Sequence, residues 1–170
     1  MTTQETELIL NPDGSVYHLH LKAEHVADHV ILVGDPARVE RISGFFDRIE
    51  HKISNREFTT HTGYCNNTRI TAISTGIGTD NIDIVVNELD AAVNIDPITR
   101  QPNKALRSLN LIRLGTCGAL QAHLEVDSIA VTQTAIGLDG VKHFYRTITT
   151  PSEHALEEAF MDHMQLEARM

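Results

Sequence analysis

Two short segments set arginine beside glycine where the chain has to turn: Gly34-Asp35-Pro36-Ala37-Arg38 and Arg113-Leu114-Gly115-Thr116-Cys117-Gly118. Gly34 lets the backbone turn tightly and lets a ligand come close. Asp35 suits the N-cap of a following helix and Pro36 its first position. Free N–H groups of a first helical turn, together with the helix dipole, attract an anion. Arg38 stands where a guanidinium can fork onto phosphate oxygens. The alternative for this segment is an ordinary strand-to-helix turn with a surface arginine. In the second segment Arg113 lies in an otherwise apolar run, where a charge is costly unless it meets an anion or an internal carboxylate. The Thr116 hydroxyl can donate to the same anion. Cys117 has no evident partner base and reads as a small residue rather than a nucleophile.

Three other groupings have weaker chemistry. Asn55-Arg56-Glu57-Phe58-Thr59-Thr60 puts an arginine and a glutamate side by side before a strand; spacing alone reads them as a solvated surface pair. Tyr17-His18-Leu19-His20 spaces two histidines to one side of a strand, but no carboxylate or third histidine follows to complete a zinc site. Gly76-Ile77-Gly78 is a weak glycine signal between a strand and a helix, placed so that a second loop reaches the same ligand. HExxH, GxSxG and P-loop patterns are absent.

The elements that must position these residues alternate. Val30-Ile31-Leu32-Val33 is a short apolar run typical of a strand buried on both faces. Val39, Ile42, Phe45 and Phe46 continue as a helix. Residues 48–75 are β-rich, with a hairpin turn expected at Asn66-Asn67. Ile82, Val85, Val86, Leu89, Ala92 and Val93 line one face of a helix over residues 80–93. Residues 94–107, with two prolines, read as a long exposed loop. Residues 109–114 are the next strand, ending where open α/β sheets bind ligands, and residues 128–135 another. Thr150-Pro151-Ser152-Glu153 is a capping box. It opens a helix whose apolar face is Ala155, Leu156, Ala159, Phe160 and Met164. The alternation gives an α/β fold, preceded by a mobile polar arm over residues 1–15 that ends in the turn Asn11-Pro12-Asp13-Gly14.

The whole chain has 170 residues and a formal net charge of −9, with 14 basic against 23 acidic side chains. That length suits one domain, able to bury roughly 70% of its unfolded surface. The acidic balance argues against a nucleic-acid binder, which would show a basic face. No run approaches the roughly 18–20 apolar residues of a membrane span. Residues 1–10 lack the basic start of a signal peptide, so a cytoplasmic protein with reduced Cys65 and Cys117 is expected.

Taken in order, Val16-Tyr17-His18-Leu19, Gly34-Asp35-Pro36-Ala37-Arg38-Val39-Glu40, Arg56-Glu57-Phe58-Thr59-Thr60, Ser74-Thr75-Gly76-Ile77-Gly78, Arg113-Leu114-Gly115-Thr116-Cys117-Gly118 and Leu138-Asp139-Gly140 resemble the nucleoside phosphorylase family, closest to its uridine phosphorylases. The resemblance implies a mixed sheet with flanking helices and the phosphorolysis of uridine to uracil and ribose 1-phosphate. It implies a phosphate site from Gly34, Arg38, Arg113 and Thr116, with Arg56 reaching that phosphate from a neighbouring subunit. His18 would cross the same interface to the ribose 5′-hydroxyl. Glu57, the Ile77 carbonyl and Asn81 stand where the family binds a monovalent cation, K⁺, between subunits; relatives have serine where Asn81 stands. No further cofactor is implied, inorganic phosphate being the co-substrate. The partners implied are the nucleoside, phosphate and further copies of the chain, in dimer-based assemblies that reach hexamers.

The resemblance spans the first part of the family's domain, so that residues 16–170 are expected to be the N-terminal portion of a single domain truncated at its C-terminus. The family's base-binding Phe, Gln and Arg and its Glu-Met-Glu motif have no match here. Three readings stay open at this point: a piece of a uridine phosphorylase, a piece of a purine nucleoside phosphorylase, or a non-catalytic remnant.

Overall fold

A computed structural model describes residues 3–165. The chain divides into two compact units, Met1–Val131 and Thr132–Met170.

The first unit is built on a five-stranded mixed sheet in the order β2-β3-β4-β1-β5. Strand β1, His29–Val33, lies parallel to β4, Thr68–Ser74, and to β5, Asn110–Arg113. Strands β2, Arg48–Asn55, β3, Phe58–Cys65, and β4 form an antiparallel meander. The β3–β4 turn is Asn66-Asn67, with φ of 47° and 63°. Two left-handed residues in succession match the twist of the flanking strands, and asparagine tolerates that region well.

Helix α1, Pro36–Ser43, starts as the sequence predicts: the Asp35 carboxylate accepts from the Ala37 N–H at 2.9 Å, and Pro36 occupies the first turn. It stops at Gly44, short of Phe45, which is exposed. Helix α2, Thr79–Asn94, buries Val85, Leu89 and Val93 against Val16, Leu19, Leu21, Val30, Phe58 and Ile73. Val86, expected on the same face, is exposed, and Glu88 and Asn94 are buried instead.

Residues 3–15 were expected to be a mobile arm. They are held: the Thr3 N–H donates to the Arg100 carbonyl, the Arg100 guanidinium donates to the carbonyls of Thr3, Gln4 and Leu8, and Leu8 and Leu10 pack on the core. Residues 128–135 form no strand. A strand needs a partner for its backbone groups, and these residues stay in solvent, with Ile129 95% exposed. In the second unit helix α3, Pro151–Met164, has the predicted capping box, Thr150 and Glu153 each accepting from the other's backbone N–H. No residue of its expected apolar face is buried.

Candidate functional site

The carboxyl ends of β1, β4 and β5 lie side by side because the three strands are parallel and in register, Leu32 pairing with Arg113 and Val33 with Ser74. The Thr75 N–H donates to the Val33 carbonyl at 2.7 Å and the Leu114 N–H to the Leu32 carbonyl at 2.9 Å, pinning the chain where each strand ends. This brings Gly34, Gly76 and Arg113 together. A methyl group on Gly34 would sit 3.6 Å from the Gly76 carbonyl and 3.8 Å from Nη2 of Arg113. Glycine therefore leaves open the space between a carbonyl and a guanidinium.

Strand β5 is an edge strand, and all four of its residues are exposed, Ile112 to 60%. The expectation that Arg113 is a charge inside a buried strand is thus corrected, and burial cost no longer argues for an anion. What remains is geometry: among the described residues no carboxylate pairs with Arg113 or with the half-buried Arg38. The first turn of α1 is also less available than expected. Pro36 has no N–H, that of Ala37 goes to the Asp35 side chain and that of Arg38 to the Asp35 carbonyl. Binding an anion here falls to the guanidiniums. Thr116 lies in the exposed chain beyond β5, with no side-chain hydrogen bond among the described residues.

Arg56 and Glu57 are the two residues between paired Asn55 and Phe58, at the tip of the β2–β3 hairpin. Arg56 takes a left-handed φ of 54°, a region that is uncommon for a non-glycine residue and that surrounding structure must enforce. Ser74, fully buried, does part of that: its hydroxyl accepts from the Thr59 N–H at 2.7 Å and donates to the Glu57 carbonyl at 2.9 Å. Asn55 adds to it by donating to the His18 carbonyl at 2.8 Å. The tip faces two ways. Arg56 lies over the Tyr17 ring, 5.3 Å from its centroid, and donates to the Tyr17 hydroxyl at 3.4 Å. Glu57 lies against Gly76.

Tyr17 and His18 are in a turn, not the strand that the His18–His20 spacing suggested, and His20 has a left-handed φ of 57°. The two histidines are therefore not a strand-borne pair. Among the described residues no three His, Cys, Asp or Glu side chains are grouped to hold a metal ion. His18 is bound by Glu88 of α2: Nδ1 is 2.6 Å from Oε1, and the backbone N–H groups of His18 and Leu19 both donate to the same carboxylate at 2.8–3.0 Å.

The three groups expected to hold a cation meet at Gly76, whose φ of 66° and lack of a side chain both matter. A Cβ there would lie 2.7 Å from Nδ2 of Asn81 and 3.3 Å from Cγ of Glu57. A monovalent cation needs oxygen ligands. Glu57 and the Ile77 carbonyl are acceptors, but Asn81 directs its amide nitrogen at the Ile77 carbonyl, 3.4 Å away. A donor occupies the third position, and the set as it stands does not fit the cation.

Sequence reasoning missed Glu88, Ser74 and Asn55 as parts of the site. A glutamate on the apolar side of a helical pattern was the available signal for Glu88. A cleft of about 190 Å³ lined by Leu8, Leu10, Val16, Ala92 and Ile95 contains none of the expected site residues.

Residues 28–166 match the Phosphorylase superfamily. The chain belongs to that superfamily. Two curated relatives of this phosphorylase-superfamily chain are named uridine phosphorylase. That of Haemophilus influenzae is 36% identical over 141 residues, covering 82% of this chain and 50% of the relative. That of Thermococcus kodakarensis is 33% identical over 145 residues, covering 85% and 47%. Among solved structures, a Trypanosoma brucei nucleoside phosphorylase, described as showing uridine phosphorylase activity, superposes with a TM-score of 0.82 at 34% identity, covering 91% of this chain and 53% of that one. The chain spans about half the length of the curated relatives it matches.

Proposed function

We propose that this chain provides the phosphate-holding half of a uridine phosphorylase site. The observation that carries the reading is the Arg113 guanidinium held over Gly34 at the ends of β1, β4 and β5, with no carboxylate to neutralise it among the described residues. In phosphorolysis a phosphate oxygen forms a bond to C1′ of the ribose as the bond from C1′ to the base breaks, and the base leaves with the electron pair and takes up a proton. The sugar becomes cation-like in between, and an anionic phosphate beside it stabilises that charge. The protein's task is then positioning and charge rather than nucleophilic attack. Arg113 and Arg38 are suited to holding the phosphate, with Thr116 as a neighbouring donor and no cofactor needed.

His18 and Arg56 both gather on Tyr17, while Glu57 lies against Gly76. That arrangement supports a second reading within the same proposal: the pair serves the site of an adjoining copy, as a homo-oligomer requires. No helix among the described residues is long and apolar enough to cross a membrane, and the cytoplasm is the compartment we assign.

The test is release of free base from uridine or inosine with phosphate, on the 170-residue chain and on a form extended to the length of the relatives. Uracil release by the extended form alone makes the chain a part of the enzyme. Faster release of hypoxanthine assigns purine nucleosides instead, and no release from either form leaves the remnant reading.

A further inference from the structure

The two edges of the five-stranded sheet are finished differently. β2 carries Arg48, Glu50 and Lys52, all exposed, and its register with β3 shifts between Ile49 and His51. Exposed charges and a bulge keep an edge strand from pairing further. β5 has no bulge and no charge before its last residue, Arg113, and runs in unbroken register with β1. The Asn110 N–H donates to the Asp28 carbonyl at 2.7 Å, and the Leu114 N–H to the Leu32 carbonyl at 2.9 Å. Alternate residues of a parallel strand turn to the same neighbour. Ile112 therefore also bonds β1, and the N–H and C=O groups of Leu111 and Arg113 point to the open side. The faces of β5 are bare as well. Successive side chains lie on opposite faces, and Leu111 is 39% and Ile112 60% exposed. Apolar neighbours in a parallel strand belong to a sheet covered on both sides.

We propose that the β5 edge is a docking surface for a separate polypeptide, the complementary half of a phosphorylase-superfamily domain, which adds a strand along Leu111–Arg113 and covers both faces of β5. The lengths point to that occupant: this chain covers 50% of the Haemophilus influenzae relative and 53% of the Trypanosoma brucei structure, so each carries about as much chain again outside the matched part. A single extended peptide would pair with the edge and leave Leu111 and Ile112 in water. A second copy of this chain would bring only another β5 with two bare faces of its own. The occupant has to supply a strand and apolar layers together, and a half-domain does.

The experiment co-expresses the 170-residue chain with the part of the Haemophilus influenzae uridine phosphorylase that it does not match. Size-exclusion chromatography reads the complex, and NMR reads amide exchange residue by residue. In the chain alone the Leu111 and Arg113 amides should exchange fast and the Ile112 amide slowly. In the complex all three should be slow. No complex on co-expression, or a complex in which Leu111 and Arg113 stay fast, overturns the proposal. Protection of those two amides in the chain alone, growing with its concentration, overturns it too and makes a second copy the occupant. L111P removes an open-side N–H and no bond to β1. It should lose the complex while its Ile112 amide stays slow, and a complex kept by L111P overturns the pairing. Should the proline detach β5, the wild-type exchange pattern decides alone. A complex with this pattern that releases no uracil sustains the docking surface and counts against the nucleoside reading.

Discussion

The strand ends around Gly34 and the corner around Glu88 treat charge in opposite ways. At the strand ends Arg113 is exposed on an edge strand, and neither it nor Arg38 has a carboxylate partner among the described residues. In the corner a buried carboxylate receives two backbone N–H groups and an imidazole, and nothing polar is left over. The first arrangement is of little use to folding and is suited to a ligand that brings its own negative charge. The second contributes to folding and fixes a side chain. A substitution should therefore separate binding from stability in one region and join them in the other.

The largest effect is expected from Arg113→Ala. A hydrogen bond to a charged group contributes roughly 1.5–3 kcal/mol, so phosphate affinity measured by calorimetry should fall about 10–150-fold. Stability should stay within about 0.5 kcal/mol of the wild type, as for other exposed positions. Unchanged phosphate binding in a folded variant would break the contrast at its first term. Glu88→Ala is expected to act the other way round. The His18 and Leu19 N–H groups lose their acceptor in a mostly buried setting, and an unsatisfied buried donor costs about 1–3 kcal/mol. Urea unfolding should show a loss of that size; a loss below about 0.5 kcal/mol would mean water replaces the carboxylate and the corner is not a folding device.

The two regions also differ in how readable they are from sequence. The strand ends announce themselves locally, since an apolar run, a glycine and a capped helix follow each other within ten residues of Val30. Asp35, Pro36 and the Thr150 capping box act on their immediate neighbours, so they were legible. Glu88 was not, because its partner is 70 positions away and a glutamate in a helix usually faces water. Ser74 was quoted within a motif, but its tie to the Glu57 carbonyl exists only once β3 and β4 have paired. The same physics explains the missing strand at 128–135. Its residues have the propensity, but propensity is only fit to a pleated surface, and among the described residues no neighbouring strand offers one. For Arg113 the apolar neighbours suggest burial, while its place on the sheet edge exposes it.

Two titratable groups elsewhere sharpen the contrast through pH. His61 on β3 is buried, its Nδ1 2.7 Å from the Ser43 hydroxyl. Burial pushes its pKa below the usual histidine value, and the Lys52 charge adds to this. His25 is lowered by burial and by the neighbouring His51. Both are held neutral in the fold, while the unfolded chain takes up protons near pH 6.5. The unfolded state then binds more protons between the lowered values and that point, so stability falls as pH drops through this window and levels off below it. Thermal melts from pH 7.5 to 5 should show the decline, and His61→Gln should make it shallower. A melting temperature that stays flat through pH 6 would mean that water reaches these rings. His18 differs from both in lying beside a carboxylate at a half-exposed surface, which is the setting for a ligand group rather than a core one.

The smallest effect is expected at Asn81, and it tests whether the site borders on a cation. Its amide nitrogen lies 3.4 Å from the Ile77 carbonyl, beside Glu57 and over Gly76. An N–H group there offers the carbonyl the partial positive charge that a bound ion would otherwise supply. Exchanging KCl for choline chloride at constant ionic strength should therefore leave the melting temperature of the wild-type chain unchanged. Asn81→Ser removes the donor and puts a hydroxyl oxygen in its place, which completes a set of oxygen ligands with Glu57 and the Ile77 carbonyl. That variant should melt higher in KCl than in choline chloride, by a margin that grows with K⁺ concentration as ligand linkage requires. Stabilisation of the wild-type chain by K⁺ and not by choline would show that the amide turns its oxygen to the ion. Asn81 would then be a ligand like its neighbours, and this part of the strand-end region would hold its charge as fully partnered as the Glu88 corner does.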